Sequence, residues 1–251
     1  NGTDVSRSVA DLTLKDDNFN TIVAAISEGR TIFKNIRKFV TYQLSCNFSE
    51  LAILFLGVLL APMFGWQIPL LLALHILFMN LITDNLPAIT LGLNPTSTDI
   101  MSEHPRKDGG ILNAKLLGVL IFAGSLMTFF VILGYFVDFN ILGKSVEHSR
   151  TIALTTLIGL EIVSAFHFRS FRKGVLTRSP FTNPALIIAS LLSILATLAI
   201  LYTPLNIVFE TVPLMLYEFW PVFAICLIFI IIFDVLKFLN KKLKFLTLEH
   251  C

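Results

Sequence analysis

Two stretches of this chain set acids and amides inside long apolar runs: Ser45-Cys46-Asn47-Phe48-Ser49-Glu50 and Asn80-Leu81-Ile82-Thr83-Asp84-Asn85-Leu86-Pro87. A third run holds Glu161. An acid at the centre of a bilayer costs about 2.5–3.5 kcal/mol on insertion scales, so Glu50, Asp84 and Glu161 each require a compensating partner. No run carries a Lys or Arg near its middle to supply one. Asn47 and Glu50 are three residues apart, and Asn80, Thr83 and Asp84 recur at spacings of three and four, so each set shares one helix face. A donor set of carboxylates, amides and a hydroxyl, without His or Cys, suits a hard cation such as calcium and suits a soft transition metal badly. Pro87 has no N–H for the carbonyl of Thr83, and a carbonyl freed in this way would point at the site. Ion sites beside broken membrane helices are built like this. The alternatives are cross-helix hydrogen bonding for Asn47 or Thr83 taken singly, and proton binding by the acids.

The elements that must position these residues are membrane helices. Over 251 residues the hydrophobic fraction is 55%, the charged fraction 14% and the mean hydropathy +0.79. A soluble domain does not have this balance. Apolar runs of the roughly 20 residues needed to cross a bilayer recur at about 39–60, 68–91, 116–137, 151–168, 184–202 and 219–239. The expected fold is therefore all-α, a polytopic bundle of six transmembrane helices in the lipid bilayer. Before the first run, Ile22, Val23, Ile26, Phe33, Ile36 and Phe39 recur at helical spacing among Glu28, Arg30, Lys34, Arg37 and Lys38. This predicts an amphipathic stalk over 20–38 that continues, without a proline, into the first span. The link Ala61-Pro62-Met63-Phe64-Gly65-Trp66 is short, so the first two spans are antiparallel neighbours. Two such helices can turn their polar faces together, with Glu161 completing the set. Gly159, two residues earlier, would let a neighbouring helix approach.

Charge sets the expected orientation. Arg169, Arg172, Lys173 and Arg178 follow the fourth span, and Lys237, Lys241, Lys242 and Lys244 close the chain. Retention of positive residues on the inner side places both termini in the cytoplasm, which an even number of spans allows. The net charge of +2 offers no argument for a nucleic-acid partner. The scattered Cys46, Cys226 and Cys251 form neither a disulfide framework nor a zinc spacing and read as small apolar residues. His75 reads as a hydrogen-bonded packing residue rather than part of a pathway. Asn1-Gly2-Thr3 and Asn47-Phe48-Ser49 match the glycosylation pattern by chance, one being on the cytoplasmic side and the other in the bilayer. Lys237 to Leu246 forms a basic amphipathic tail suited to the anionic inner leaflet. The opening residues show no signal peptide and read as the interior of a longer protein.

These motifs resemble the C-terminal part of a P-type cation-transporting ATPase, most nearly the sarco/endoplasmic-reticulum-type calcium pumps and their prokaryotic relatives. Asn1-Gly2-Thr3-Asp4-Val5 is similar to the segment after the hinge of the phosphorylation domain, and Asp16-Asp17-Asn18-Phe19 to its junction with the stalk. Asn47 to Glu50 resembles the fifth span of the full pump and Asn80 to Pro87 the sixth. The resemblance covers nearly the whole chain. It implies that residues 1–19 are the edge of the phosphorylation domain and that calcium is bound by Asn47, Glu50, Asn80, Thr83, Asp84 and Glu161. It also implies that the loop Gly92 to Gly110 braces the cytoplasmic headpiece. Single-site calcium pumps lack the acids at Glu50 and Glu161, lipid-flipping relatives lack the acidic set, and heavy-metal pumps carry a cysteine pair in another span.

The Asp-Lys-Thr-Gly phosphorylation motif and the actuator Thr-Gly-Glu motif do not occur in these residues. The expected partners are thus the remaining pump domains and its first four spans, which would supply a further site carboxylate, and Mg-ATP would act only through that headpiece. This chain alone is expected to be inactive as an ATPase. A self-contained channel or secondary transporter, or a membrane scaffold, would share its hydrophobicity. Neither would explain a soluble stalk running into the ligand-bearing span.

Overall fold

A stalk and a bilayer span can be one object only if nothing interrupts the backbone between them. In the computed structural model this is so. The structure describes residues 2–16, 18–95, 100–102, 110–171, 174–177 and 179–243, with backbone alone for 241–243. After a short helix α1 (Asp4–Ser8), helix α2 runs unbroken through Phe19–Phe64. At 1.5 Å per residue its 46 residues extend about 69 Å, twice the thickness of a hydrocarbon core. Asn18 starts it by accepting a hydrogen bond from Asn20 N at 3.0 Å. Just upstream, the Thr21 hydroxyl donates to Asp16 and holds that carboxyl below its usual range. Gly65, in the left-handed region at φ 69°, ends α2. The helix thus continues through Pro62, beyond the expected end of the first span.

The second span is divided. Helix α3 (Ala73–Phe78) passes into a π-helical turn, Met79–Thr83, in which Asp84 N donates to Met79 O at 2.9 Å. Helix α4 (Asn85–Gly92) completes the crossing. Then come α5 (Ala114–Phe136, with a π turn at Val137–Ile141), α6 (Val146–Phe168), α7 (Pro184–Tyr202), the short α8 (Leu205–Phe209) and α9 (Trp220–Leu243). Asn113, Ser145 and Asn183 cap α5, α6 and α7 with side-chain oxygens, and Pro184 opens α7 where its missing N–H costs nothing. The described residues contain six helices long and apolar enough to cross a membrane and no strand. The chain is an integral membrane protein of the all-α, polytopic kind.

Helix α6 is the centre of the bundle. Its most apolar stretch is 78% buried, against 17% for α9, which lies at the rim. Helix α2 packs chiefly on α5 and α4, α5 on α6, and α6 on α9. Gly124 lets α5 press against α2: a Cβ there would lie 2.9 Å from the Ser45 carbonyl oxygen and 2.5 Å from the Phe48 ring. Gly159 serves the contact of α6 with α9 through Cys226, so the neighbour it admits is the last span and not the first two.

Polar contacts mark the two ends of the bundle. On the stalk side, Asn35 of α2 donates to Gly92 O at 3.1 Å and Asn94 O at 2.7 Å, and Arg37 donates to Ile111 O at 2.9 Å. Lys237 donates to His167 O and Ser170 O, which brings the ends of α9 and α6 to this same side. At the other end, His148 lies between Asp138 (2.8 Å) and Glu218 (3.0 Å), and Arg150 pairs with Glu210 at 3.2 Å. Lys144, between α5 and α6, pairs with Glu218, whose hydrogen bond holds the ammonium above the usual lysine range. Residues 96–99 and 103–109 of the bracing loop, Arg172, Lys173, Arg178 and the side chains of the tail from Lys241 onward lie outside the described residues, as do Asn1 and Asp17.

The Asn35 contacts clamp the stalk to the end of the second span. Asn35→Ala leaves two carbonyls without these donors, each a loss of about 1–3 kcal/mol if no water replaces it. The expected result is a lower thermal unfolding midpoint of the detergent-solubilised protein, together with faster deuterium exchange around Gly92 to Asn94. An unchanged midpoint and exchange rate would show that these bonds do not hold the stalk in place.

Candidate functional site

The π turn and Pro87 together shape one wall of the site. Adding one residue to the helical turn at Met79–Thr83 lets Asn80, Thr83 and Asp84 project from a widened backbone, and Pro87 withholds its N–H just beyond. Thr83 and Asp84 are fully buried. The Thr83 hydroxyl donates to Met79 O at 3.3 Å, a local bond that leaves its lone pairs free.

Helix α2 supplies the opposite wall. Glu50 is 4% exposed, and the Asn80 amide nitrogen donates to its two carboxylate oxygens at 2.9 and 2.7 Å, with a third bond to Ile76 O at 3.1 Å. This amide joins the two spans directly. Asn47, one turn before Glu50, has a buried amide oxygen without a hydrogen-bond partner. Ser45 and Ser49 donate back to Thr41 O and Cys46 O of their own helix, so they are satisfied locally.

Glu161 comes from the middle of α6 and is fully buried. One of its oxygens, one of Asp84 and the Cys46 sulfur all lie within 4.8 Å of one another. Glu50 is within electrostatic range of both Asp84 and Glu161. Both oxygens of Asp84 and both of Glu161 are buried and unpartnered, and among the described residues no Lys or Arg pairs with them. Like charges this close in a low dielectric repel strongly; protons or a bound cation can offset the repulsion. The structure therefore gathers α2, the α3–α4 span and α6 around one cluster of buried oxygens.

Residues 68–239 match the family described as Cation transporting ATPase, C-terminus. The chain belongs to this family of cation-transporting ATPases. It is 34% identical over 257 residues to Calcium-transporting ATPase 1 of Bacillus cereus, covering 96% of this chain and 28% of that protein. It is 38% identical over 214 residues to a Calcium-transporting ATPase of Bacillus subtilis, covering 84% and 23%. It is 32% identical over 272 residues to the endoplasmic-reticulum-type Calcium-transporting ATPase 3 of Arabidopsis thaliana, covering 96% and 27%. The chain thus spans about a quarter of the length of these relatives.

Two residues invite comparison with their sequence reading. Cys46 is buried in the apolar core as its reading predicts, and its sulfur also lies within 4.8 Å of oxygens from two acids. The signal was available: Tyr42, Cys46 and Glu50 follow each other at intervals of four and form one buried stripe. His75 faces away from the cluster. Its Nε2 meets Phe209 O at 2.6 Å while Nδ1 accepts from Leu72 N, which ties α3 to α8 as a packing histidine.

Proposed function

We propose that this chain is the ion-binding transmembrane half of an ATP-driven P-type pump that exports calcium from the cytoplasm, with calcium as the transported substrate. The observation that carries the reading is the pair of buried acids Asp84 and Glu161, whose oxygens lie together without a donor, with Glu50 held by Asn80 within electrostatic range and a further unpartnered buried oxygen on Asn47 one turn before Glu50. Carboxylate and amide oxygens in this number fit a hard divalent cation. The calcium-transporting relatives support the same ion.

In this reading Glu50, Asp84 and Glu161 supply negative charge, and Asn47, Asn80 and Thr83 supply neutral oxygens. Residues 1–19 edge a phosphorylation domain, residues 20–38 are the stalk, and the remainder is the transport domain with both termini cytoplasmic. Mg-ATP acts only in the headpiece. Because α2 is continuous from stalk to site, a tilt imposed on its outer end changes the distances between Asn47 or Glu50 and the ligands of the other two walls. A modest change in ligand distance is enough to give two states different affinities, which is what a pump requires of its site.

The test is the cation dependence of ATP hydrolysis by the full-length pump, compared for calcium, manganese, sodium and protons, with and without Glu161→Gln. Calcium is expected to activate the wild type at the lowest concentration. Glu161→Gln is expected to raise that concentration by about 10-fold or more. Activation by sodium or protons alone, or a calcium response that Glu161→Gln leaves in place, would overturn the reading.

A further inference from the structure

The cluster contains one atom that a pure calcium site has no use for. Cys46 is fully buried on α2, and its sulfur lies within 4.8 Å of an Asp84 oxygen and a Glu161 oxygen that lie equally close to each other. Both carboxylates are 0% exposed and neither accepts a hydrogen bond from an N–H or hydroxyl donor among the described residues, so two buried acids border the thiol. We propose that Cys46 is a sulfur ligand inside this intramembrane site and widens its range to thiophilic divalent cations of the zinc and cadmium class. The proposal rests on the cation-site reading above and names a second class of ion for it.

Geometry and chemistry converge on this class. With metal–sulfur bonds of about 2.3 Å and metal–oxygen bonds of about 2.0–2.2 Å, a tetrahedral centre holds its ligand atoms about 3.3–3.6 Å apart. Separations within 4.8 Å close to that range with shifts of about 1 Å or less, which rotation of the three side chains can supply. Calcium takes six to eight oxygens at longer distances and draws instead on the wider set that includes Glu50, Asn80 and Asn47. The two ions thus share Asp84 and Glu161 but complete their shells from different residues. When the soft ion binds, the thiol proton leaves to solvent and a sulfur–metal bond takes its place, so two carboxylates and one thiolate surround a doubly charged ion. Softness of the thiolate then favours cadmium or zinc over calcium within this subsite.

Cys46→Ser is the informative variant because it keeps size and polarity while removing the soft ligand. In the purified full-length pump, cadmium titration is expected to produce a sulfur-to-cadmium charge-transfer absorption, and the wild type minus Cys46→Ser difference isolates the part due to this thiol. Cadmium is also expected to compete with calcium for activation, and Cys46→Ser should weaken that competition by about tenfold or more. Any rise in the calcium concentration for half-activation is expected to be the smaller of the two effects, since the oxygen shell is kept. No difference absorption, or equal losses of calcium and cadmium response as expected of a packing residue, would overturn the proposal. Glu161→Gln separates this from the calcium-site reading: calcium activation that survives it, alongside cadmium absorption that still depends on Cys46, removes Glu161 from the calcium shell and sustains the sulfur ligand.

Discussion

Asp84→Asn is expected to abolish calcium activation of the full-length pump at concentrations that saturate the wild type. Asp84 is the acid with the most to lose, because it is fully buried, has two oxygens without a donor and interacts electrostatically with both Glu50 and Glu161. Removing one member of a desolvated charge pair costs about 2–5 kcal/mol, which corresponds to roughly a 30-fold to several-thousand-fold loss of affinity. The fold should not suffer with it. Replacing one of three mutually repelling acids by a neutral amide relieves repulsion, so the melting temperature in calcium-free buffer is expected to stay level or rise. A variant that loses calcium response and also melts markedly earlier would show that Asp84 acts through structure. A variant with normal calcium response would take Asp84 out of the site.

Gly124→Val is expected to damage the site from outside it. Gly124 carries no ligand atom, yet a Cβ at this position would lie 2.9 Å from the Ser45 carbonyl and 2.5 Å from Phe48. The ring can turn, but the carbonyl belongs to helix backbone and cannot. Overpacking of this kind costs about 1–3 kcal/mol, and here it is relieved by parting α5 from α2 beside Asn47. The expected outcome is a weaker calcium response, by about tenfold, with Gly124→Ala lying between wild type and valine. Gly118→Val is the matching control, because nothing lies within 4 Å of a Cβ there on the same helix. If both valine variants behave alike, close approach of α5 does not govern the site.

Asp84 and Gly124 both act through one face of a helix, and a helix face is written locally in the residues. Period and run length are local properties, so the six apolar runs and the uninterrupted stalk are legible in the residues alone. The polar intrusions are legible for the same reason, since an acid in an apolar run is conspicuous wherever the run ends up. Helix ends are less so: α2 continues to Phe64 because a proline in the last turn removes only one hydrogen bond. The π turn at Met79–Thr83 leaves no clear sequence mark beyond Pro87, and it changes which way Asn80 and Asp84 face.

The amino-acid sequence by itself determined that this chain is a helical membrane bundle with acids inside it, because hydropathy and i, i+3, i+4 spacing act within single helices. Which of those acids meet was decided by tertiary structure alone. Asp84 and Glu161 are separated by 77 positions, and only the packing of α6 against α2 and the divided second span brings their oxygens together with the Cys46 sulfur. The clustering of three walls is a non-local property, set by how the helices pack and by an amide that joins two spans, and no pattern along one helix encodes it.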